Sequence, residues 1–95
     1  MSVATIIREK LASHLAPERL DVVDESHKHA GHAGHRPGVE THFRLLIVST
    51  AFEGRSRLAR QRLVNQILAA EMGHPIHALA MRTLTPAEAQ ADAAS

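Results

Sequence analysis

Cysteine is absent from this 95-residue chain. That excludes disulfides and any thiolate metal ligand supplied by the chain itself. Tryptophan and tyrosine are absent too, and two phenylalanines, Phe43 and Phe52, are the only aromatics. An aromatic platform for stacking bases is therefore poorly provided. Neither sign of charge prevails: eleven basic against ten acidic side chains leave +1 with neutral histidines, so there is no overall basic bias toward nucleic acid. No apolar run reaches membrane-spanning length. Near the N-terminus, Arg8, Glu9 and Lys10 interrupt what a signal peptide would keep apolar. The compartment expected from these features is the cytoplasm. Hydrolytic catalysis also lacks parts. Ser26 beside His27 is adjacency rather than triad geometry. Asp24 and Glu25 are consecutive and in a strand would point to opposite faces.

What is present is 44% hydrophobic and 22% charged residues, a balance that fits one globular domain with one modest core. Five of the eight histidines fall within residues 25–43. This stretch has no apolar periodicity and is punctuated by Gly31, Gly34, Pro37 and Gly38, so it reads as a loop. Imidazole is a good ligand for zinc, copper, nickel and iron. His27, His29, His32 and His35 lie close enough in sequence to converge on one ion, although their spacing fits no standard zinc motif. The bland reading of the same residues is a solvated polar loop. His77 follows Pro75 at the start of an apolar run. It is either a half-buried, hydrogen-bonded side chain or a ligand.

The rest of the chain reads as scaffold. Ser2 caps a helix ending near Leu15, with Val3, Ile6, Ile7, Leu11 and Leu15 on one face and Pro17 just beyond. Leu20 to Asp24 is a short β-branched strand. Residues 42–49 form a second strand, with Phe43, Leu45 and Ile47 facing one way and Leu46 and Val48 the other, the pattern of a central strand. These two strands most simply pair antiparallel. Ser56 caps the longest helix, expected to end near Met72 with Ala59, Leu63, Ile67 and Ala70 on the core face and Val64, Leu68 and Met72 beside it, and Gly73 and Pro75 ending it. Residues 76–83 form the third strand. Thr85 and Glu88 are placed as the two halves of a capping box for a last short helix. The order predicts an α+β domain with helices packed on one face of a small sheet. The domain is expected over residues 1–86, followed by a flexible Ala-rich tail over 87–95.

Two features point toward nucleic acid. Arg55, Arg57, Arg60 and Arg62 cluster at the start of the long helix, where the N-terminal turn could meet phosphate. The alternative for them is a solvated helix face. Gly31-His32-Ala33-Gly34 spells the GxxG of KH domains, but it lies between two strands rather than two helices, and the match is read as chance.

Taken together, the segments closely resemble the BolA family. The matching residues are Leu20-Asp21-Val22-Val23-Asp24-Glu25-Ser26-His27-Lys28-His29, Glu40-Thr41-His42-Phe43-Arg44, Val48-Ser49, Phe52-Glu53-Gly54-Arg55-Ser56-Arg57-Leu58, Arg62-Leu63-Val64-Asn65 and His77-Ala78-Leu79-Ala80. The resemblance covers nearly the whole chain. It implies a class II KH-like (BolA-like) α+β fold with a three-stranded mixed sheet. It also implies a non-enzymatic partner of monothiol Cys-Gly-Phe-Ser glutaredoxins, sharing a [2Fe-2S] cluster with the glutaredoxin and glutathione in cluster assembly, trafficking and iron homeostasis. Some bacterial members are described as DNA-binding transcriptional regulators of morphology and stress responses, the alternative function. Whether the isolated chain forms a homodimer is left open by the sequence.

The family's ligands are one loop cysteine or histidine and one histidine near the last strand. Aligning the Asp-x-Ser-x-x-(Cys/His) pattern on residues 24–29 implies His29, with His32 and His27 as fallbacks, and His77. The chain departs from the family in reading Arg60-Gln61-Arg62 where many members have Arg-His-Arg. It also lacks a tryptophan after Thr85-Pro86.

Overall fold

The computed structural model describes residues 2–25, 42–73 and 75–94. Ser2 starts the first helix as its spacing suggests: its Oγ accepts the Thr5 N–H at 3.1 Å, and α1 runs Val3–Leu15. Ile7, Leu11 and Leu15 are its buried stripe. Ala16 closes the helix in the left-handed region (φ 42°) and donates its N–H to the Ala12 carbonyl at 3.1 Å.

β1 (Arg19–Asp24) pairs antiparallel with β2 (His42–Val48), and β2 pairs parallel with β3 (Ala78–Leu84). The sheet is mixed, with β2 in the centre. Register puts Leu20 and Val22 of β1 beside Ile47 and Leu45 of β2, which in turn face Thr83 and Met81 of β3. This is the face that α1 and the second helix cover. Phe43, Leu45, Ile47, Phe52, Val64, Leu68 and Ile76 join the α1 stripe there in one buried core. The opposite face is open only in part: Val48 is buried and Leu46 half-buried, whereas Arg44 is exposed and Val23 on the neighbouring strand is 48% exposed.

After β2, the buried Ser49 donates its hydroxyl to the Leu15 carbonyl at 2.6 Å and caps a 3₁₀ turn over Thr50–Phe52. Ser56 caps α2 (Arg57–Ile67), accepting the Ala59 N–H at 3.1 Å.

Helix α2 departs from the sequence expectation twice. It ends at Ile67, not residue 72. Beyond Leu68 the N–H groups of Ala69 and Glu71 bond three residues back, and the chain continues as turns. Glu71 is held by both carboxylate oxygens to Lys10 Nζ at 2.8 Å, and its carbonyl accepts the Ile76 N–H. These tertiary ties override the helical pattern. The buried face is also rotated, toward residues expected only at its side: Val64 and Leu68 are buried together with Arg60, whereas Ala59, Leu63 and Ile67 are half-buried and Ala70 is exposed.

The last helix expected from Thr85 and Glu88 is α3 (Pro86–Ala94), and it extends through most of the Ala-rich residues read as a tail. Its start is a capping box: Thr85 Oγ1 accepts the Glu88 N–H at 3.2 Å while Glu88 Oε1 accepts the Thr85 N–H at 2.9 Å. Arg82 on β3 pairs with Asp92 one turn further along, at 3.2 Å. Among the described residues, no helix is long and apolar enough to cross a membrane.

Candidate metal centre

The three strands bring together residues that are far apart in sequence. β1 ends at Asp24, and the next residue, Glu25, donates its N–H to the His42 carbonyl at 2.8 Å. Arg44 Nε holds the Glu25 carboxylate at 3.2 Å, fixing that end of β1 against β2. On the other side of β2, His42 is the Cα partner of Ala78, and His77 immediately precedes Ala78. Glu25, His42 and His77 therefore stand side by side at one end of the sheet. Residues 26–41 leave from Glu25 and return at His42, beside His77.

His77 is exposed, yet its support is rigid. Ile76 before it is fully buried. The Ile76 N–H bonds the Glu71 carbonyl at 2.9 Å, and its carbonyl accepts the Gly73 N–H at 2.8 Å. Gly73 adopts φ 87°, a conformation that side-chain-bearing residues rarely hold, which suits glycine to this turn. One residue is pinned in the core and the next is turned outward.

His27, His29, His32 and His35 lie outside the described residues. Among the described residues no three histidine, cysteine or carboxylate side chains are grouped to hold a metal ion. His77 thus offers a single exposed imidazole, and other ligands would have to join it. His42 is a further histidine here, outside the set that sequence spacing suggests. It is half-buried at the same sheet end, and its place as first residue of the central strand was the available signal.

Residues 11–88 match the family described as BolA-like protein. The chain belongs to the BolA family. Human BolA-like protein 1 is 51% identical over 86 residues, which cover 90% of this chain and 60% of the human protein. A Vibrio cholerae protein named DNA-binding transcriptional regulator BolA is 42% identical over 88 residues, covering 93% of this chain and 79% of that one. Among solved structures, the BolA domain of SufE1 from Arabidopsis thaliana superposes with a TM-score of 0.81 at 46% identity, covering 93% of this chain and 96% of that one. The BolA fold, three helices and a three-stranded mixed sheet, is thus confirmed from both directions.

Within this BolA protein the four arginines at the start of α2 do not act as one patch. Arg60 is 9% exposed. Its Nε donates to the Arg55 carbonyl and its Nη1 to the Thr83 carbonyl, both at 3.0 Å. Its guanidinium also pairs with Glu88 at 2.6 Å and lies 5.9 Å from the centre of the Phe52 ring. Arg60 is thus held in the interior and is not placed to meet phosphate. Arg55, Arg57 and Arg62 are exposed. Arg55 Nε donates to the Ala51 carbonyl at 3.1 Å.

Proposed function

We propose that this BolA-family protein is a non-enzymatic adaptor. It pairs with a monothiol glutaredoxin of the Cys-Gly-Phe-Ser type and co-ligates a [2Fe-2S] cluster with it, in cluster assembly or trafficking and iron homeostasis. The observation that carries this reading is the placement of His77 beside both strand ends, Glu25 and His42, that flank the histidine-bearing residues 26–41.

The donor chemistry supports it. Without cysteine the chain has imidazoles to offer and no thiolate. A shared cluster would draw its thiolates from the glutaredoxin cysteine and glutathione, and its imidazoles from His77 and His29, with His32 or His27 in place of His29. Two imidazoles on one iron raise the reduction potential above that of all-thiolate clusters. Distance permits the pairing. Four residues from Glu25 to His29 span up to about 14 Å, and two strand spacings are about 10 Å.

The test is to mix the purified chain with a Cys-Gly-Phe-Ser glutaredoxin, glutathione, iron and sulfide, and record visible absorption and circular dichroism. The mixed complex should give a cluster spectrum distinct from that of the glutaredoxin alone, and the isolated chain should give none. A spectrum unchanged by adding this chain would refute the adaptor role.

A second reading, DNA-binding regulation, is favoured by the exposed Arg55, Arg57 and Arg62 and by the name of the Vibrio cholerae relative. Replacing Arg57 and Arg62 by alanine should then lower the slope of log affinity against log salt by about one for each lost phosphate contact. An unchanged slope would remove these arginines from any DNA interface.

A further inference from the structure

We infer that the outer edge of β3 is a docking site for an extended, acid-bearing segment of a partner protein, added to the sheet as a fourth strand. The ladder fixes which main-chain groups face outward. The Ser49 N–H donates to the Leu84 carbonyl at 2.9 Å, so Leu84 points toward β2. Successive residues of a strand alternate in hydrogen-bonding direction. Arg82 and Ala80 therefore also point toward β2, and Leu79, Met81 and Thr83 present N–H and C=O groups to the open side. The Thr83 carbonyl is taken by Arg60. Those of Leu79 and Met81 have no partner among the described residues.

The two edges of this sheet are built differently. β1 carries Arg19, Asp21 and Asp24. Arg8 Nη2 lies across its outward side and donates to the Val22 carbonyl at 3.2 Å. Charged side chains and covered carbonyls discourage strand addition. β3 instead presents Ala78-Leu79-Ala80-Met81, four uncharged residues in a row. Its one arginine guard stands at Thr83, beyond them.

Charge at the far end of β3 selects the guest. Arg55, Arg57, Arg60 and Arg82 line a groove of about 750 Å³ beside Thr83, with Glu88 and Asp92 as its carboxylates. Arg60 holds Glu88 and Arg82 holds Asp92. Arg55 and Arg57 have no carboxylate partner among the described residues. A strand paired with Leu79 and Met81 runs on into this groove, where an aspartate, glutamate or terminal carboxylate meets Arg57. The main-chain ladder supplies affinity, and the charged end sets register and direction. Nucleic acid would engage the arginines but leave the outward amide and carbonyl groups of Leu79 and Met81 without a role. The inference is independent of the cluster reading, since it requires neither His77 nor a metal.

The test uses the full chain as bait for a phage-displayed library of random dodecapeptides. Selection should enrich peptides containing aspartate or glutamate, and synthetic copies should slow hydrogen exchange at the Leu79 and Met81 amides. Arg57→Glu should weaken binding by about tenfold, the equivalent of one lost contact. Met81→Pro, which removes an outward N–H while sparing the β2 ladder, should do the same at a temperature where its melt shows it folded, and Met81→Ala, which loses the same core contacts but keeps the N–H, should retain binding. If Met81→Pro does not fold, amide exchange in the parent chain together with Arg57→Glu decides the matter. The proposal is overturned if nothing is enriched, or if bound peptides leave exchange at Leu79 and Met81 unaltered. It is equally overturned if a single-stranded DNA oligonucleotide binds this groove and no peptide does.

Discussion

The guanidinium of Arg60 donates to the carbonyl of Thr83 at 3.0 Å, tying α2 to the outer side of β3. The same group bonds Glu88 on α3 and the Arg55 carbonyl before α2, so one buried side chain joins three parts of the fold. Its position in the Arg60, Val64, Leu68 stripe makes it part of the core rather than part of a basic surface.

Arg60→Ala should therefore destabilise the fold by about 1 to 3 kcal/mol, because it leaves the buried Thr83 carbonyl without its donor. Arg60→Lys should recover little, since an ammonium cannot reproduce the planar fork. Urea denaturation midpoints measure both. A midpoint within error of the parent for Arg60→Ala would place the side chain on the surface.

The Arg60 pair also has a pH signature. Hydrogen bonding from Arg60, then from the Thr85 backbone N–H, lowers the Glu88 carboxyl from 4.5 to about 2. The folded state thus holds the Glu88 proton less tightly than the unfolded chain. Its stabilising contribution is complete above the ordinary value of 4.5 and is lost as pH falls toward 2. The stability difference between parent and Glu88→Gln should shrink across that window. A difference that stays constant there would show that Glu88 is not ionised against Arg60.

Val64→Ala should cost about 2 kcal/mol, from two deleted methyl groups plus the cavity they leave. Per methyl removed, it should cost more than Leu63→Ala, because Val64 is fully buried and Leu63 is not. Denaturant melts of the two variants fix which face of α2 meets the sheet. The reverse ranking would restore the face expected from sequence.

Ala16 holds φ 42° without being glycine. The left-handed region costs a side-chain-bearing residue about 1 to 2 kcal/mol, only partly offset by the greater chain entropy that glycine loses on folding. Ala16→Gly should raise stability by about 0.5 to 1 kcal/mol. A lower melting temperature would contradict the observed cap.

The elements with a sustained period and a cap were legible in the sequence. Ser2 and the Ile7, Leu11, Leu15 spacing gave α1, and the alternation from Phe43 to Val48 gave a central strand. The end of α2 was not legible, because its apolar stripe continues through Leu68 and Met72 although the bonds of Ala69 and Glu71 tighten to three residues back and the regular helix ends at Ile67. Nor was the rotated face: an arginine at position 60 reads as surface, and only its partners Thr83 and Glu88, distant in sequence, make burial tolerable. The juxtaposition of Glu25, His42 and His77 depends on strand register, which no local pattern encodes. The Thr85–Glu88 box made the start of the last helix legible, but the alanine-rich composition after Pro86 did not show that it runs on to Ala94, where the Arg82–Asp92 pair supports it.

The central claim is that His77 and a histidine of residues 26–41 ligate a cluster shared with a glutaredoxin. The most direct measurement is visible circular dichroism of the mixed complex, comparing the parent chain with His77→Ala and with the triple change of His27, His29 and His32 to alanine. Both variants should lose or alter the parent spectrum, His29→Ala alone should alter it in part, and acidification should weaken it because protonated imidazole cannot bind metal. A parent-like spectrum from either His77→Ala or the triple variant would contradict the claim.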